Sequence, residues 1–409
     1  IAPAARNLAA GRLDLADYPF KGPVSAILVA AFHLLTAPWG LDLFRTASLV
    51  GLVASAFALF FTYRLGLDLW GRRTAVGAVV LVAVNKLFFI NAHKAGSDLI
   101  FLALALAVVW LSVSAAPTRN RRVLAGVLAG LAFLTRYVGI ALPVWTVAAV
   151  LLLPGSGERR ERLAGAGWFL GGWAVVVLPW LVFSLVQSGS PLSTGNLQNV
   201  VQHFHPAGAP DGGFSSLGAV FAHDPVHFVL RYMRGLGEYF VREWEQVLGW
   251  AMALLAAGGI VALFAPRPRR RRTVFAGWGL VYLLAVALVF YLARFSLPLV
   301  PVYALLGGSL LDRLPRWPAL GAVILVGLAV WWQADFARTA VGFYRAEQPL
   351  YLQRSLDYLN DQAGRWRDEG RPRVMARKPH AAWYGGMDYV AYPGALNGAA
   401  DLLAYAAEA

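Results

Sequence analysis

Charged side chains stand beside apolar runs in four short stretches: Lys21 in YPFKGP, His93 and Asp98 in NAHKAGSD, Arg136 in LTRYVG and Arg294 in YLARFSLP. An isolated lysine or arginine at a membrane surface can bind an anion such as phosphate. An acid at a membrane-embedded helix start is a candidate ligand for a substrate or a metal ion. Three separated cations and one acid on a single face would describe a site that handles phosphate.

Each of these residues also has a purely structural interpretation. Lys21 can be a lysine that extends its stem along the membrane interface and keeps its charge in water. Ser97 or Asp98 can cap the helix that follows, where a negative charge suits the helix dipole. Arg136 can anchor a helix end at the interface together with Tyr137. The sequence alone leaves these alternatives open.

The composition indicates a membrane protein with many spans. The 409 residues are 58% hydrophobic and only 14% charged, whereas a typical soluble domain carries about 25% charged residues. The net charge of +14 does not indicate nucleic-acid binding, because the arginines cluster in short loops between apolar runs. The sequence has no cysteine, which excludes disulfides and thiolate metal sites.

The elements that must position the charges are apolar helices. A span needs about 20 apolar residues, and the hydropathy pattern predicts about ten spans. Their expected ranges are 47–66, 74–91, 98–116, 122–136, 138–154, 164–187, 246–265, 273–292, 296–311 and 317–334.

Every second loop between these spans is rich in arginine. The five loops carry Arg72 and Arg73; Arg119, Arg121 and Arg122; Arg159, Arg160 and Arg162; Arg267 and Arg269 to Arg272; and Arg313 and Arg316. The positive-inside rule places them in the cytoplasm. The opposite loops are residues 92–97, the turn at Arg136, the long loop 188–245 and the turn at Arg294, and we expect these outside.

Residues 23–38 decide the side on which Lys21 lies. The stretch is short for a span, contains His33 and ends at APWG, so it is predicted to lie along the membrane interface. Lys21 then faces outward beside Asp98. If the stretch spanned the membrane instead, residues 1–22 would be cytoplasmic.

The predicted fold class is an all-α polytopic membrane protein with outer loops and a small C-terminal α/β segment. We expect a first outer loop with interfacial helices at 1–46, a transmembrane domain at 47–334 and an incomplete extracytoplasmic segment at 335–409. Loop 188–245 contains four histidines, but their spacing matches no metal-binding motif on a clear helix. They are His203, His205, His223 and His227.

The order of these motifs resembles the GT-C class of lipid-linked glycosyltransferases, in particular the aminoarabinose-transferase and protein O-mannosyltransferase group. The resemblance covers roughly 1–310. It rests on Ala5, Leu8 and Gly11 in the first helix, on Phe20, Lys21 and Pro23, on Gly40 and Arg45, on Asp98, and on the stretches GLAFLTRYVG and RFSLPLVPVYALLGG.

The resemblance implies a polyprenyl-phosphate-linked sugar as donor and a lipid, protein or glycan as acceptor. Lys21 would contact the lipid phosphate, Arg294 would be a looser phosphate contact, and Arg136 and His93 would line the same face. Asp98 would lie by the sugar or a divalent metal; no cofactor is otherwise implied. A carboxylate would take the proton of the acceptor hydroxyl, and the cations would stabilise the leaving phosphate.

The sequence departs from the family pattern in two ways. Gly22 stands where the family has its first proline after the lysine. The family's main catalytic acid lies before the first matching helix, upstream of residue 1, while Asp14 and Asp17 do not match that motif. We therefore expect this chain to be a fragment that is inactive by itself.

A transporter or lipid flippase is the main alternative from another class, and a structural membrane subunit is a third. Transporters usually carry polar sites midway through broken helices and show inverted repeats. Here the charges stand at span ends and no repeat is evident, with Lys86 as the exception inside a span. The composition suggests a bacterial source, so that the outer face assigned by the loop pattern would be the extracytoplasmic face of a bacterial plasma membrane.

Overall fold

The structure is a computed structural model in which most of the described residues are helical. It describes residues 2–15, 18, 21–113, 118–152, 159–192, 200–201, 203–204, 216–264, 270–313, 316–346, 373–376 and 388–391. Asp17, His205 and most of the C-terminal segment lie outside the described residues.

The α-helices are numbered in chain order. They are α1 Ala2–Ala9, α2 Val24–Thr36, α3 Leu43–Leu69, α4 Arg72–Val84, α5 Lys86–Ala92, α6 Asp98–Val113, α7 Arg119–Thr135, α8 Ala141–Leu152, α9 Arg159–Ser188, α10 Leu217–His223, α11 Pro225–Arg242, α12 Gly249–Leu263, α13 Arg270–Val286, α14 Val300–Gly308, α15 Leu310–Arg313 and α16 Arg316–Ala346. Short 3-10 helices occupy Ala37–Trp39, Tyr137–Ile140 and Ala293–Leu299, and a π-helix occupies Glu243–Leu248.

The chain divides into two compact units, Ile1–Asp335 and Phe336–Ala409. In the second unit, strands β1 (Arg373–Ala376) and β2 (Asp388–Ala391) pair in parallel, with Arg373 opposite Asp388. The helical part of the α/β segment expected there lies outside the described residues. The domain boundaries expected from the sequence stay a prediction.

The first unit contains the membrane helices, and each of the predicted spans overlaps a described helix, although residues 287–292 of the predicted span 273–292 are not helical. Four described helical segments are long and apolar enough to cross a membrane: Leu43–Leu69, Arg159–Ser188, Pro225–Leu263 and Ala293–Asp312. A fifth is added if α4 and α5, which are bent by 65° at Asn85, form one span. The protein is thus a multi-pass membrane protein, and the count of about ten spans stays a prediction.

Helix α2 has the dimensions of an interfacial helix. Its 13 residues reach about 20 Å at 1.5 Å per residue, which is shorter than a hydrocarbon core of about 30 Å. One side packs into the protein through Val24, Ala26 and Val29, while Leu34 and Leu35 are 70% and 66% exposed. These features fit a helix that lies along the membrane surface, as the sequence predicts.

Helices α7 and α9 pack closely because glycines lie at their contact. A Cβ atom at Gly126 would overlap the backbone of Phe169, and one at Gly130 would lie 2.8 Å from the Cβ of Val176. Small residues four positions apart allow membrane helices to approach in this way. The contact fixes the end of α7, from which Arg136 follows.

The arginine-rich loops meet one another at one end of the bundle. The Arg272 Nε donates to the Leu69 carbonyl at 2.7 Å, and an Arg122 nitrogen donates to the Glu161 carbonyl at 3.4 Å. The Thr74 N–H donates to an Asp312 carboxylate oxygen at 2.9 Å. This clustering agrees with the alternation of loops that the sequence predicts, and it leaves Lys21, Asp98, Arg136 and Arg294 at the opposite ends of their helices.

Candidate functional site

Lys21 is held just before the start of α2 by close packing on the last turn of α7. Gly22 lies so close to Leu134 that a Cβ atom would stand 2.5 Å from the Leu134 carbonyl oxygen. On the other side, Tyr18 is buried, and its ring meets Trp180 edge to face at 5.4 Å. The Trp180 Nε1 in turn donates to the Tyr137 hydroxyl at 3.1 Å. The first loop is thereby attached to the segment that carries Arg136.

Asp98 and Arg136 form an ion pair across two helices. Asp98 is the first residue of α6, and Arg136 follows the last residue of α7 in an extended conformation. An Arg136 Nη1 hydrogen donates to the Asp98 carboxylate, and both side chains are mostly buried. Because the partner of this carboxylate is an arginine, the structure gives Asp98 the role of holding the Arg136 guanidinium in place.

The guanidinium groups of Arg136 and Arg294 both lie over the ring of Phe295. The Arg136 Cζ lies 5.1 Å and the Arg294 Cζ 5.4 Å from the centre of its ring. These distances are within the range of a cation–π interaction. The Tyr282 hydroxyl donates to the Phe295 carbonyl at 2.8 Å and holds the 3-10 helix Ala293–Leu299 in place. Two arginines from distant segments are therefore brought to one aromatic ring.

The electrostatics of Lys21 show that the three cations lie together. Burial, followed by repulsion from Arg136 and Arg294, lowers the pKa of Lys21 from 10.5 to about 8. Each of these causes disfavours the charged amine in the absence of an anion. Lys21, Arg136 and Arg294 are here called the cation cluster. A bound anion would neutralise the repulsion among the three cations, which favours anion binding at this cluster.

His93 is placed differently from the other candidates. It ends α5 with an exposed side chain, and its ring lies edge to face with Phe89 at 6.0 Å. Among the described residues, its contacts do not include the cation cluster or Asp98. Its role in substrate binding stays a prediction.

The described part of the chain contains no group of three or more His, Asp or Glu side chains that could hold a metal ion. Of the loop histidines, His203 is buried; its backbone carbonyl accepts a hydrogen bond from the Arg231 Nε at 3.0 Å. Burial, then Arg231, lowers the pKa of the His203 side chain. A divalent metal bound by Asp98 stays an open prediction from the sequence.

A second group of polar side chains, which the sequence did not single out, lies beyond the 3-10 helix that carries Arg294. Glu243 begins the π-helix and is 4% exposed. Ser296 and Tyr303 face its carboxylate. Tyr282 lies close enough to both Arg136 and Glu243 to interact electrostatically with each of them. A carboxylate next to a membrane span was the available signal, but Glu243 stood inside a stretch interpreted as a polar outer loop.

Comparison with known families and structures bears on this fold. Residues 20–183 match the model of the dolichyl-phosphate-mannose-protein mannosyltransferase family. These residues include Lys21, Asp98 and Arg136. A search of curated proteins found no match.

Several solved structures have a similar fold. The chain superposes over its whole length on 82% of ArnT from Cupriavidus metallidurans bound to undecaprenyl phosphate, with a TM-score of 0.63 and 14% identity. It also superposes, over 95% of its length and at 14% identity, on an oligosaccharyltransferase from Archaeoglobus fulgidus crystallised with zinc and sulfate, with a TM-score of 0.62. The chain also superposes, over 92% of its length, on the archaeal oligosaccharyltransferase AglB in complex with an inhibitory peptide and a dolichol-phosphate, with a TM-score of 0.59 and 14% identity. The chain spans 57% of the length of each oligosaccharyltransferase chain.

The fold is therefore like that of ArnT and the archaeal oligosaccharyltransferases, and the GT-C resemblance found in the sequence is confirmed at the level of the fold. The family-model match covers less than half of the 409 residues.

Proposed function

We propose that this chain is a membrane glycosyltransferase that moves a sugar from a polyprenyl-phosphate donor to an acceptor. The observation that carries the proposal is the convergence of Lys21, Arg136 and Arg294 at the end of the bundle opposite the arginine-rich loops. ArnT and AglB, which share the fold, were crystallised with undecaprenyl phosphate and a dolichol-phosphate. A long lipid can reach this site sideways from the bilayer.

The cation cluster would stabilise the leaving group. When the bond between the anomeric carbon and the phosphate oxygen breaks, negative charge develops on the polyprenyl phosphate. Cations that are already oriented stabilise such charge without rearranging during the reaction. Asp98 and Phe295 provide this orientation for Arg136, and Phe295 provides it for Arg294.

Asp98 is the residue that bears on the acid–base part of the reaction. Asp98 is the catalytic acid that the sequence suggests among the described residues. Its carboxylate is already paired with the Arg136 guanidinium. We propose that Asp98 acts chiefly by holding Arg136 next to the lipid phosphate.

The location follows from the same arrangement. Because the arginine-rich loops are predicted to be cytoplasmic, the cation cluster would face the outside of a bacterial plasma membrane. The acceptor would be a protein, lipid or glycan there; an oligosaccharyltransferase with the same fold was crystallised with a tethered acceptor peptide.

A flippase remains the second candidate because α4 and α5 form a broken helix, which is a feature of many transporters. The break is filled by protein groups. The Asn85 side chain donates to the Val247 carbonyl at 2.8 Å, and the Lys86 N–H donates to the Gln333 side chain at 2.9 Å. Groups that are already paired in this way are poor ligands for a transported ion.

The experiment that separates the two functions follows the sugar. Membranes from cells that express the protein are incubated with a polyprenyl-phosphate sugar carrying a radiolabel in the sugar. We expect the label to appear in a protein, lipid or glycan fraction and to disappear from the donor. Translocation of intact donor across the bilayer without such transfer would favour the flippase.

A further inference from the structure

Glu243 is a buried acid for which the reaction described above has no use. It is 4% exposed, and neither carboxylate oxygen has a hydrogen-bond partner with good geometry in the described structure. The Ser296 and Tyr303 hydroxyls face it, and the Ser296 Oγ is itself buried without a partner among the described residues. Inside a membrane protein, where water is scarce, unpaired polar groups are costly.

Two tyrosine hydroxyls near Glu243 also lack hydrogen-bond partners among the described residues. Tyr239 and Tyr291 are buried, their rings meet at 4.9 Å, and neither hydroxyl has a partner among the described residues. Both tyrosines lie close enough to Glu243 to interact electrostatically with its carboxylate. The group offers two carboxylate acceptors and several hydroxyls that both donate and accept. A ligand with several hydroxyl groups would satisfy this mixture, whereas an apolar chain would satisfy none of it.

The backbone places this group next to the cation cluster. Ser296 lies two residues after Arg294 on the 3-10 helix Ala293–Leu299, and Tyr282 stands between Arg136 and Glu243. In a polyprenyl-phosphate sugar, the sugar is bonded directly to the phosphate. A phosphate at Arg136 and Arg294 therefore fixes the sugar within a few bond lengths of that helix.

We propose that Glu243, Ser296 and the neighbouring tyrosines bind the hydroxyl groups of the donor's sugar. This rests on the proposed function, since it assigns the sugar-binding part of the same site. A carboxyl group accepts hydrogen bonds from sugar hydroxyls in either ionisation state. The π-helix, a form often found at functional sites, turns Glu243 into the interior, whereas the side chains of Trp244 and Glu245 are exposed.

The test compares lipids with and without a sugar. The affinity of the purified protein is measured for decaprenyl phosphate and for decaprenyl phosphates that carry mannose, glucose or arabinose. At least one sugar-bearing lipid should bind the wild type about 10- to 100-fold more tightly than the bare lipid, as expected for two or three added hydrogen bonds. Glu243→Gln should remove most of that advantage and leave the affinity for bare decaprenyl phosphate unchanged.

Two further variants keep the result interpretable. Ser296→Ala should lower the sugar advantage by a smaller factor, and Glu245→Gln, two residues along on the exposed side, should change nothing. The proposal is overturned if no sugar-bearing lipid binds more tightly than the bare lipid. It is also overturned if Glu243→Gln retains the wild-type advantage, or weakens both kinds of lipid equally. Wild-type protein that binds decaprenyl phosphate no better than decaprenol would instead contradict the proposed function.

Discussion

The surroundings of Lys21 disfavour its charged form as long as no anion is bound. Its pKa of about 8 lies below the ordinary 10.5 because of burial, Arg136 and Arg294. A bound phosphate would replace repulsion with attraction and raise that pKa again. Between these two values, binding of a phosphate must therefore be accompanied by uptake of a proton.

This linkage predicts the pH dependence of donor binding. Below pH 8, Lys21 is already charged and the affinity for decaprenyl phosphate should change little. As the pH rises through 8 toward 10, the affinity should fall by up to tenfold per unit. Titration calorimetry in buffers of different ionisation enthalpy would measure the proton uptake. In Lys21→Arg, whose charge persists over this range, a proton uptake equal to that of the wild type would contradict the assignment to Lys21.

Asp98 and Arg136 form one unit in the structure, and this predicts how their variants combine. Asp98→Asn should lower turnover more than donor affinity, because the cations remain but Arg136 loses its orientation. If Asp98 acts only through Arg136, the double variant Asp98→Asn with Arg136→Gln should be no slower than Arg136→Gln alone. The kcat and KM of all three variants measure this. A double variant that is slower by the full product of the two single effects would return Asp98 to an independent catalytic role.

At the scale of elements, the site depends on how closely the first loop approaches the end of α7. Gly22 allows this approach because it has no Cβ atom to meet the Leu134 carbonyl. The departure from the family's proline at this position thus has a physical reason in this chain. The same contact places Lys21 next to the segment of Arg136.

Gly22→Ala should therefore push Lys21 away from the other cations. We expect donor affinity to fall by about tenfold, since about 1.4 kcal/mol corresponds to that factor and an overpacked contact typically costs 1–3 kcal/mol. Gly171→Ala is the matched control, because a Cβ atom there would meet open space on α9. Equal donor affinity in both variants, measured by native mass spectrometry, would show that this approach does not position Lys21.

Much of this arrangement could be predicted from the sequence, because the charges stand at span ends and the parity of arginine-rich loops assigns each end to a face. That reasoning placed Lys21, Asp98, Arg136 and Arg294 on one face. It could not reveal the ion pair between Asp98 and Arg136 or the shared Phe295, which depend on the packing of helices distant in sequence. Glu243 was missed because hydropathy does not distinguish a buried carboxylate at a π-helix from one in a polar loop.

At the scale of the whole molecule, the account requires a particular topology. Because the sequence has no cysteine, single cysteines can be introduced at Asp14, in the first loop before Lys21, and at Arg73, in an arginine-rich loop. Both positions are exposed. An impermeant thiol reagent should label position 14 in intact cells and position 73 only after permeabilisation. Labelling of position 14 only after permeabilisation would show that residues 23–38 cross the membrane, and labelling of position 73 in intact cells would show that the bundle is inverted.

The binding of bare decaprenyl phosphate tests the central claim most directly, because it depends on the cation cluster and not on the acid–base chemistry. The wild type should bind decaprenyl phosphate far more tightly than decaprenol. Lys21→Gln and Arg294→Gln should each weaken the phosphate lipid by about 10- to 100-fold, whereas Lys94→Gln, an exposed lysine on the same predicted face, should not. Unchanged affinity in both variants, or equal binding of decaprenol, would contradict the account.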